Sequence, residues 1–243
     1  MSGRAFQTAL RLVYPARCIV CGEGVESDFA LCGPCWSDTP FIFGLCCETC
    51  GVPLPGENND TPEYCDDCLR YAKPWSMGRA AVLYRDNGRK LVLGLKHADR
   101  HDIVRPAARW MARAAQPMTC EGMILAPVPL HWTRMLRRRF NQSAVLARAI
   151  AHQLGLECCP DLLVRHARTP GLDGLGYDQR HDTVCGVFRA HPGRAHHLKG
   201  RTILLVDDVM TSGATLSALT QICLAGGATD VRVLVLARVS KDA

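Results

Sequence analysis

The chain has 243 residues, 48% of them hydrophobic and 21% charged, which suffices for one full globular domain and a small satellite. Its apolar runs, such as Ile203 to Val206 and Val231 to Ala237, fall far short of the roughly 20 residues of a membrane helix, so no span is expected. Charge is unevenly divided: residues 1–75 carry 5 Lys and Arg against 10 Asp and Glu, whereas residues 76–243 carry 24 against 13. The basic larger part suits anionic partners, and net charge alone does not choose between phosphorylated metabolites and nucleic acid.

In chain order, residues 1–17 scatter Arg4, Arg11 and Arg17 among apolar positions, without the continuous apolar core and cleavage site of a signal peptide, and a cytoplasmic protein is expected. Eight of the fourteen cysteines then form four C-x-x-C pairs: Cys18/Cys21, Cys32/Cys35, Cys47/Cys50 and Cys65/Cys68. In an intracellular chain this spacing favours metal over disulfides. Two four-thiolate sets predict two structural zinc sites, each with C-x-x-C turns on facing hairpins that complete a tetrahedron. Gly22 and Gly51 directly follow the second cysteine of a pair and supply the backbone freedom of such turns. In so short a segment the metal takes the place of a hydrophobic core. Two points stay open: Cys46 is an alternative to Cys47, although the spacing to Cys50 favours Cys47, and the first pair can combine with the last instead of its neighbour.

Residues 52–62, rich in Pro and Asn, read as a loop, and Lys73-Pro74-Trp75 reads as a linker. The expected division is residues 1–75, a double zinc ribbon, and residues 76–243, the larger domain. The cysteines at 120, 158, 159, 185 and 223 lack ligand spacing and read as small core residues.

Met123 to Ala126 reads as a buried strand that runs into Pro127-Val128-Pro129 and then a basic stretch containing Arg134, Arg137, Arg138 and Arg139. After Asn141, apolar residues at 145, 146, 149, 150 and 154 recur at helical spacing, which puts the arginines in the loop or first turn beyond a strand's carboxyl end. Their planar, bidentate donors suit a pyrophosphate there, while a solvated basic patch is the plainer alternative. Residues 165–182, with Arg165, Arg168, Thr169, Gly171, Gly174, Gly176 and Arg180, read as a long loop able to close over a ligand.

Residues 203–215 read Ile-Leu-Leu-Val-Asp-Asp-Val-Met-Thr-Ser-Gly-Ala-Thr: an apolar strand, two adjacent carboxylates, and a small hydroxyl-rich loop before a helix. Such a loop wraps a phosphate with backbone N–H groups, hydroxyls and the helix N-terminus, and Gly213 permits close approach. Asp207 and Asp208 diverge from the strand end to hold ribose hydroxyls or a magnesium ion. This string resembles the phosphoribosyl-pyrophosphate signature of type I phosphoribosyltransferases. The resemblance implies ribose contacts at Asp207 and Asp208 and 5′-phosphate contacts at Thr211, Ser212, Gly213, Ala214 and Thr215. Hypoxanthine-type enzymes carry a general-base Asp where this sequence has Thr211, so the orotate and glutamine-dependent enzymes are the more similar, although the sequence has no glutaminase half.

Over nearly its full length the chain resembles the ComF family, a double zinc ribbon joined to an amidophosphoribosyltransferase-like domain. Supporting segments are Ala80 to Tyr84, Leu95-Lys96, Pro127 to His131, Arg139-Phe140-Asn141-Gln142, Thr169-Pro170, Gly186 to Phe188 and the phosphate motif. The family usually has Gly between the residues matching Arg139 and Phe140, and often Gln where Leu172 stands; this sequence departs at both. The resemblance implies an α/β fold with a doubly wound, mostly parallel sheet and a small N-terminal zinc-ribbon module. Pyrophosphate contacts would come from Arg134, Arg138, Arg139 and Lys96, and magnesium would enter with phosphoribosyl pyrophosphate. Two functions are implied. One is a phosphoribosyltransferase in which Asp207 and Asp208 orient the substrate, the arginines stabilise departing pyrophosphate and a nitrogen nucleophile attacks the anomeric carbon. The alternative is a non-catalytic factor of DNA uptake and natural transformation that binds single-stranded DNA and takes phosphoribosyl pyrophosphate as a regulatory ligand. Against the second, aromatic residues make up only 6% of the chain, which gives no sign of a base-stacking platform.

Overall fold

A computed structural model describes residues 15–57, 61–97, 100–130, 140–167 and 186–240. Five parallel strands form the main sheet in the order β1-β7-β6-β2-β3: β1 Met77–Leu83, β2 Ile124–Pro127, β3 Glu157–Cys158, β6 Thr202–Met210 and β7 Asp230–Arg238. Two further strands, β4 Leu163–Arg165 and β5 Phe188–Ala190, pair antiparallel beside it. The central strands are near-continuous runs of Val, Ile and Leu because both faces are covered. Along β6, Ile203 and Leu205 enter one core while Leu204 and Val206 enter the other.

The second of these cores lies under helices α3 Asp86–His97, α4 Val104–Ala115 and α5 Gln142–Leu154; the first lies under α6 Ala214–Ala225 and the β4/β5 pair. α5 starts at Asn141, whose Oδ1 accepts a bond from Ser143 N at 3.0 Å while its Nδ2 donates to the Val128 carbonyl at 3.1 Å. The helix predicted after Asn141 is thus tied to the loop leaving β2.

The expected strand over 203–206 is longer than the sequence reading had it. Pairing with β7 continues through Val209 and Met210, so Asp207 and Asp208 lie within β6 and not beyond its end.

In the cysteine module, the short helices α1 Gly33–Ser37 and α2 Asp66–Arg70 begin directly after Cys32 and Cys65. Only the first pair of each set is a knuckle turn, closed by Gly22 N–H to Cys18 O at 3.0 Å and Gly51 N–H to Cys47 O at 2.9 Å, with φ of 81° and 68° at the two glycines. The facing-hairpin expectation is corrected for the second pairs. Pro34 in the first turn of α1, and Asp66 and Asp67 in that of α2, favour helix starts there.

The module does not hang from the sheet as a separate bead. Residues 40–42 run antiparallel along the outer side of β1, with Leu83 N–H bonded to Pro40 O at 2.9 Å and Ile42 N–H to Ala81 O at 3.0 Å. The edge strand is thereby covered, which removes an open row of backbone donors and acceptors. The two ribbons then part around this edge. Ile19, Val20, Leu31 and Phe41 join the core under α3–α5, whereas Cys47, Cys50 and Cys68 join the core under α6.

Candidate functional site

At the carboxyl end of β6, residues Met210 to Thr215 turn into α6 and, with Asp207, line a small polar recess. Gly213 occupies the N-cap position with φ of 80°, and the Ala214 N–H approaches Ser212 Oγ at 3.4 Å. The first N–H groups of a 12-residue helix open onto this recess, a ready anion site.

Side chains from distant parts of the sequence hold the loop from behind. Arg238, buried at the end of β7, donates from Nη1 to the carbonyls of Met210 at 3.2 Å and Thr211 at 2.8 Å, and also to Val239 O. Lys73 Nζ donates to Ser212 O at 3.1 Å. The Trp75 indole packs against Gly213 so closely that a Cβ there would sit 2.8 Å from Cη2, and its Nε1–H donates to the Thr49 carbonyl at 2.7 Å. Thr49 lies between Cys47 and Cys50, so one tryptophan bridges the second knuckle and the loop.

The two aspartates have different neighbours. Asp207 Oδ1 accepts from Ser143 Oγ at 2.9 Å and from Asp208 N–H at 2.8 Å. Burial first, and then the adjacent Asp208 carboxylate, push the Asp207 carboxyl up to about 7, against the opposing pull of the Asp208 N–H, Lys96 and Ser143. Asp208 is buried and paired with Lys96 Nζ at 3.0 Å. The sequence grouped Lys96 with Arg134, Arg138 and Arg139; the structure sets it against Asp208, and the three arginines lie outside the described residues. Residues 168–182 of the expected closing loop also lie outside them. Local chemistry predisposes this site to a cation or a polyol: two adjacent carboxylates share one lysine, and one carboxyl holds its proton far above the ordinary range.

Sequence reading missed Ser143, Arg238, Lys73 and Trp75. Ser143 was within reach, as the third residue of an Asn-Gln-Ser helix start following a strand. The others act across folds of the chain that no local pattern reveals.

In each cysteine tetrad the four sulfurs lie within 4.8 Å of one another: Cys18, Cys21, Cys32 and Cys35 in one, Cys47, Cys50, Cys65 and Cys68 in the other. Both open points are resolved: neighbouring pairs combine, and Cys47 is the ligand-facing residue. Cys46 instead sits in a bridge with Pro53, with burial raising its thiol. Sulfur separations of 3.5 Å for Cys21–Cys32 and 3.7 Å for Cys50–Cys65 suit the edge of a tetrahedron with bonds of about 2.3 Å to zinc. Four thiolates together require a cation. Without one, hydrogen bonds from Cys50 and then Cys68 hold Cys47 far below the usual thiol range while Cys68 is pushed far above it. At Cys18 burial acts upward, but backbone N–H groups of Cys21, Cys32 and Val20 outweigh it and lower the thiol to about 6. None of the described cysteines forms a disulfide.

A doubly wound sheet with a polar helix-start loop at a strand's carboxyl end, fronted by a two-site cysteine module, defines a phosphoribosyltransferase-type domain carrying a double zinc ribbon. The family profiles agree: a double zinc ribbon domain matches residues 9–69 and a phosphoribosyl transferase domain matches residues 141–243. The DNA utilization protein YhgH of Salmonella typhimurium is 30% identical over 234 residues, covering 93% of this chain and 99% of its own. Competence protein F of Haemophilus influenzae is 23% identical over 226 residues, covering 91% and 90%. Among solved structures, an allosteric regulatory enzyme of purine biosynthesis matches 59% of this chain and 30% of its own at 18% identity and a TM-score of 0.40. The chain belongs to the ComF/YhgH family, and its larger domain has the type I phosphoribosyltransferase fold. No described helix is long and apolar enough to cross a membrane.

Proposed function

We propose that the larger domain binds 5-phosphoribosyl pyrophosphate together with magnesium. In this reading the 5′-phosphate sits on Thr211 to Thr215, and Asp207 and Asp208 take the ribose hydroxyls. Lys96 and the arginines at 134, 138 and 139 serve the pyrophosphate, with Lys96 released from Asp208 as the ligand enters. Residues 1–75 act as a double zinc ribbon and residues 76–243 as the ligand-binding unit, in a cytoplasmic protein whose thiols stay reduced.

The observation that carries the reading is the junction of two features: a helix-start loop held from behind by Arg238, and a carboxylate pair in which Asp207 keeps its proton up to about 7. Magnesium on the bound ligand offsets the charge of that pair and the pyrophosphate. If transfer follows, the bond from the anomeric carbon to pyrophosphate breaks as a bond to a nitrogen nucleophile forms, and cationic side chains stabilise the departing anion. Thr211, in place of a general-base Asp, disfavours a purine protonated at that position.

A second reading draws on the names of the relatives, a DNA utilization protein and a competence protein. There the chain handles single-stranded DNA, with phosphoribosyl pyrophosphate as a regulatory ligand. Calorimetric titration of phosphoribosyl pyrophosphate with magnesium, followed by pyrophosphate detection, tests both readings. Saturable binding that is lost in Asp207→Ala/Asp208→Ala supports the site. Slow release of pyrophosphate then favours the transferase and binding without release favours the DNA-handling factor with a regulatory ligand. No binding by the wild type removes the transferase and the regulatory-ligand role alike.

A further inference from the structure

Helix α4 carries Arg105, Arg109 and Arg113 four residues apart, all exposed on one face, about 6 Å from one to the next along the axis. Like charges at this spacing destabilise a helix, and α4 contains no acidic residue to offset them. Among the described residues no carboxylate lies within ion-pairing distance of any of the three. Such a row is suited to an external polyanion.

Exposed aromatic rings of the first ribbon flank the same row. The Arg105 guanidinium lies over the Phe29 ring and that of Arg113 over Phe43, each 5.4 Å from the centroid. Phe29, Trp36 and Phe43 are 37%, 48% and 57% exposed, unusual for such large apolar groups. Phe41 joins the cluster, 4.5 Å from Trp36, 5.6 Å from Phe43 and 5.0 Å edge-on from Trp110 of α4. Between α4 and α5, a cleft of about 530 Å³ lined by Phe29, His101, Arg105, Arg109, His152 and Gln153 continues the surface. The low aromatic content is thus offset by where the rings lie: the fold gathers them beside the arginines.

We infer that the arginine row of α4 and the bordering rings Phe29, Trp36 and Phe43 form a binding surface for single-stranded nucleic acid, with phosphates on the arginines and bases stacked on the rings. The inference rests on the DNA-handling reading and assigns it a place on the molecule apart from the phosphate loop. Charge complementarity selects a polyanion, and the exposed rings select one with flat, apolar faces between its charges. An acidic polypeptide would satisfy the arginines and leave the rings in water.

The test is fluorescence anisotropy of a labelled oligothymidylate with the full zinc-loaded chain at several salt concentrations. The substitutions are Arg105→Ala/Arg109→Ala/Arg113→Ala together and Phe43→Ala alone, with zinc content and thermal midpoint confirming the fold of each. The triple variant is expected to lower the slope of log affinity against log salt by about 2, since each phosphate contact on a single strand contributes about 0.7. Phe43→Ala should weaken oligothymidylate binding about tenfold and leave an abasic strand of the same length unaffected. A triple variant with wild-type affinity and slope overturns the surface while the DNA-handling reading stands. Equal loss on both strands with Phe43→Ala overturns base stacking, and polyglutamate that competes as well as oligothymidylate transfers the surface to an acidic protein. A wild-type chain that binds no strand removes the DNA-handling reading itself and the inference with it.

Discussion

The two cysteine tetrads have the same C-x-x-C pairs and nearly the same build, a knuckle followed by a helical turn, yet they sit in unlike surroundings. In the first, Cys21 is exposed and only Cys18 and Cys35 are buried; its ties to the larger domain include Ile19 and the Nδ2 bond from Asn87 of α3 to Cys35 O at 3.1 Å. In the second, Cys47, Cys50 and Cys68 are buried in the same core as Val233 and Leu205, and Thr49 accepts the Trp75 bond at 2.7 Å. The comparison teaches that a zinc site can be a surface staple in one half of a module and part of the domain core in the other. The first ribbon offers its aromatic rings outward, and the second holds Trp75, which packs against the loop at the end of β6.

The sharpest way to break this comparison is to remove one ligand from each site. Cys47→Ser is expected to unfold the core under α6 as well as the second ribbon, because metal affinity in such sites is folding free energy, on the order of 10 kcal/mol. Cys21→Ser is expected to release one zinc and leave the larger domain folded. Zinc stoichiometry with thermal unfolding distinguishes the two. Equal loss of stability from both substitutions would erase the distinction.

Next in size is Trp75→Ala. Removing a buried indole costs about 3–5 kcal/mol, and here it also takes away the wall behind Gly213 and the bond to Thr49. Stability should fall, and phosphoribosyl pyrophosphate affinity should fall with it, while the first zinc site keeps its metal. Trp75→Phe should restore much of the packing without the Nε1–H bond. Its remaining deficit in ligand affinity, read by calorimetry, measures how far the second knuckle positions the loop.

How much of this was legible beforehand follows from the range of each interaction. Strand, loop and helix at 203–215 could be read because an apolar run, paired carboxylates and a Gly-Ala-Thr helix start are contiguous. The tetrads could be read because ligand spacing is local, whereas their pairing required knowledge of which turns face each other. The strand end was misplaced because Asp207 and Asp208 break the apolar run although β7 continues to pair through Arg238. Lys96, expected at the pyrophosphate, pairs with Asp208, a partner the sequence did not foresee, since nothing local brings α3 to Asp208. Arg238, Lys73 and Trp75 meet the loop only through tertiary structure. The aromatic surface was discounted on composition, and composition cannot register that Phe29, Trp36, Phe43 and Trp110 come together on one side of α4.

Lys96→Met should have a smaller and more local effect. It leaves Asp208 buried without its cation, which penalises the ionised carboxylate and moderately lowers stability at neutral pH. Ligand affinity should decline too if Lys96 turns to pyrophosphate, whereas a lysine that serves only Asp208 would leave affinity per folded molecule unchanged once magnesium is present.

The smallest expected effect is a displacement along the pH axis. With its carboxyl raised from 3.8 to about 7, Asp207 in the folded chain keeps a proton that the unfolded chain has already released. Its contribution to stability is therefore fully present below about pH 4 and is lost as pH rises through about 7. A ligand that requires the ionised carboxylate must expel that proton, so affinity for magnesium and phosphoribosyl pyrophosphate should climb with pH through the same window and level off above it. The Ser143 hydroxyl donates to Asp207 Oδ1 at 2.9 Å and favours the ionised form. Ser143→Ala should accordingly move the midpoint of the affinity profile upward, by up to about one pH unit if the bond has the usual strength of one to a charged acceptor. Asp207→Asn should abolish the climb. A midpoint that stays in place in Ser143→Ala would assign the titration to another group, and a downward displacement would mean that the hydroxyl accepts from a protonated Asp207 instead of donating to it.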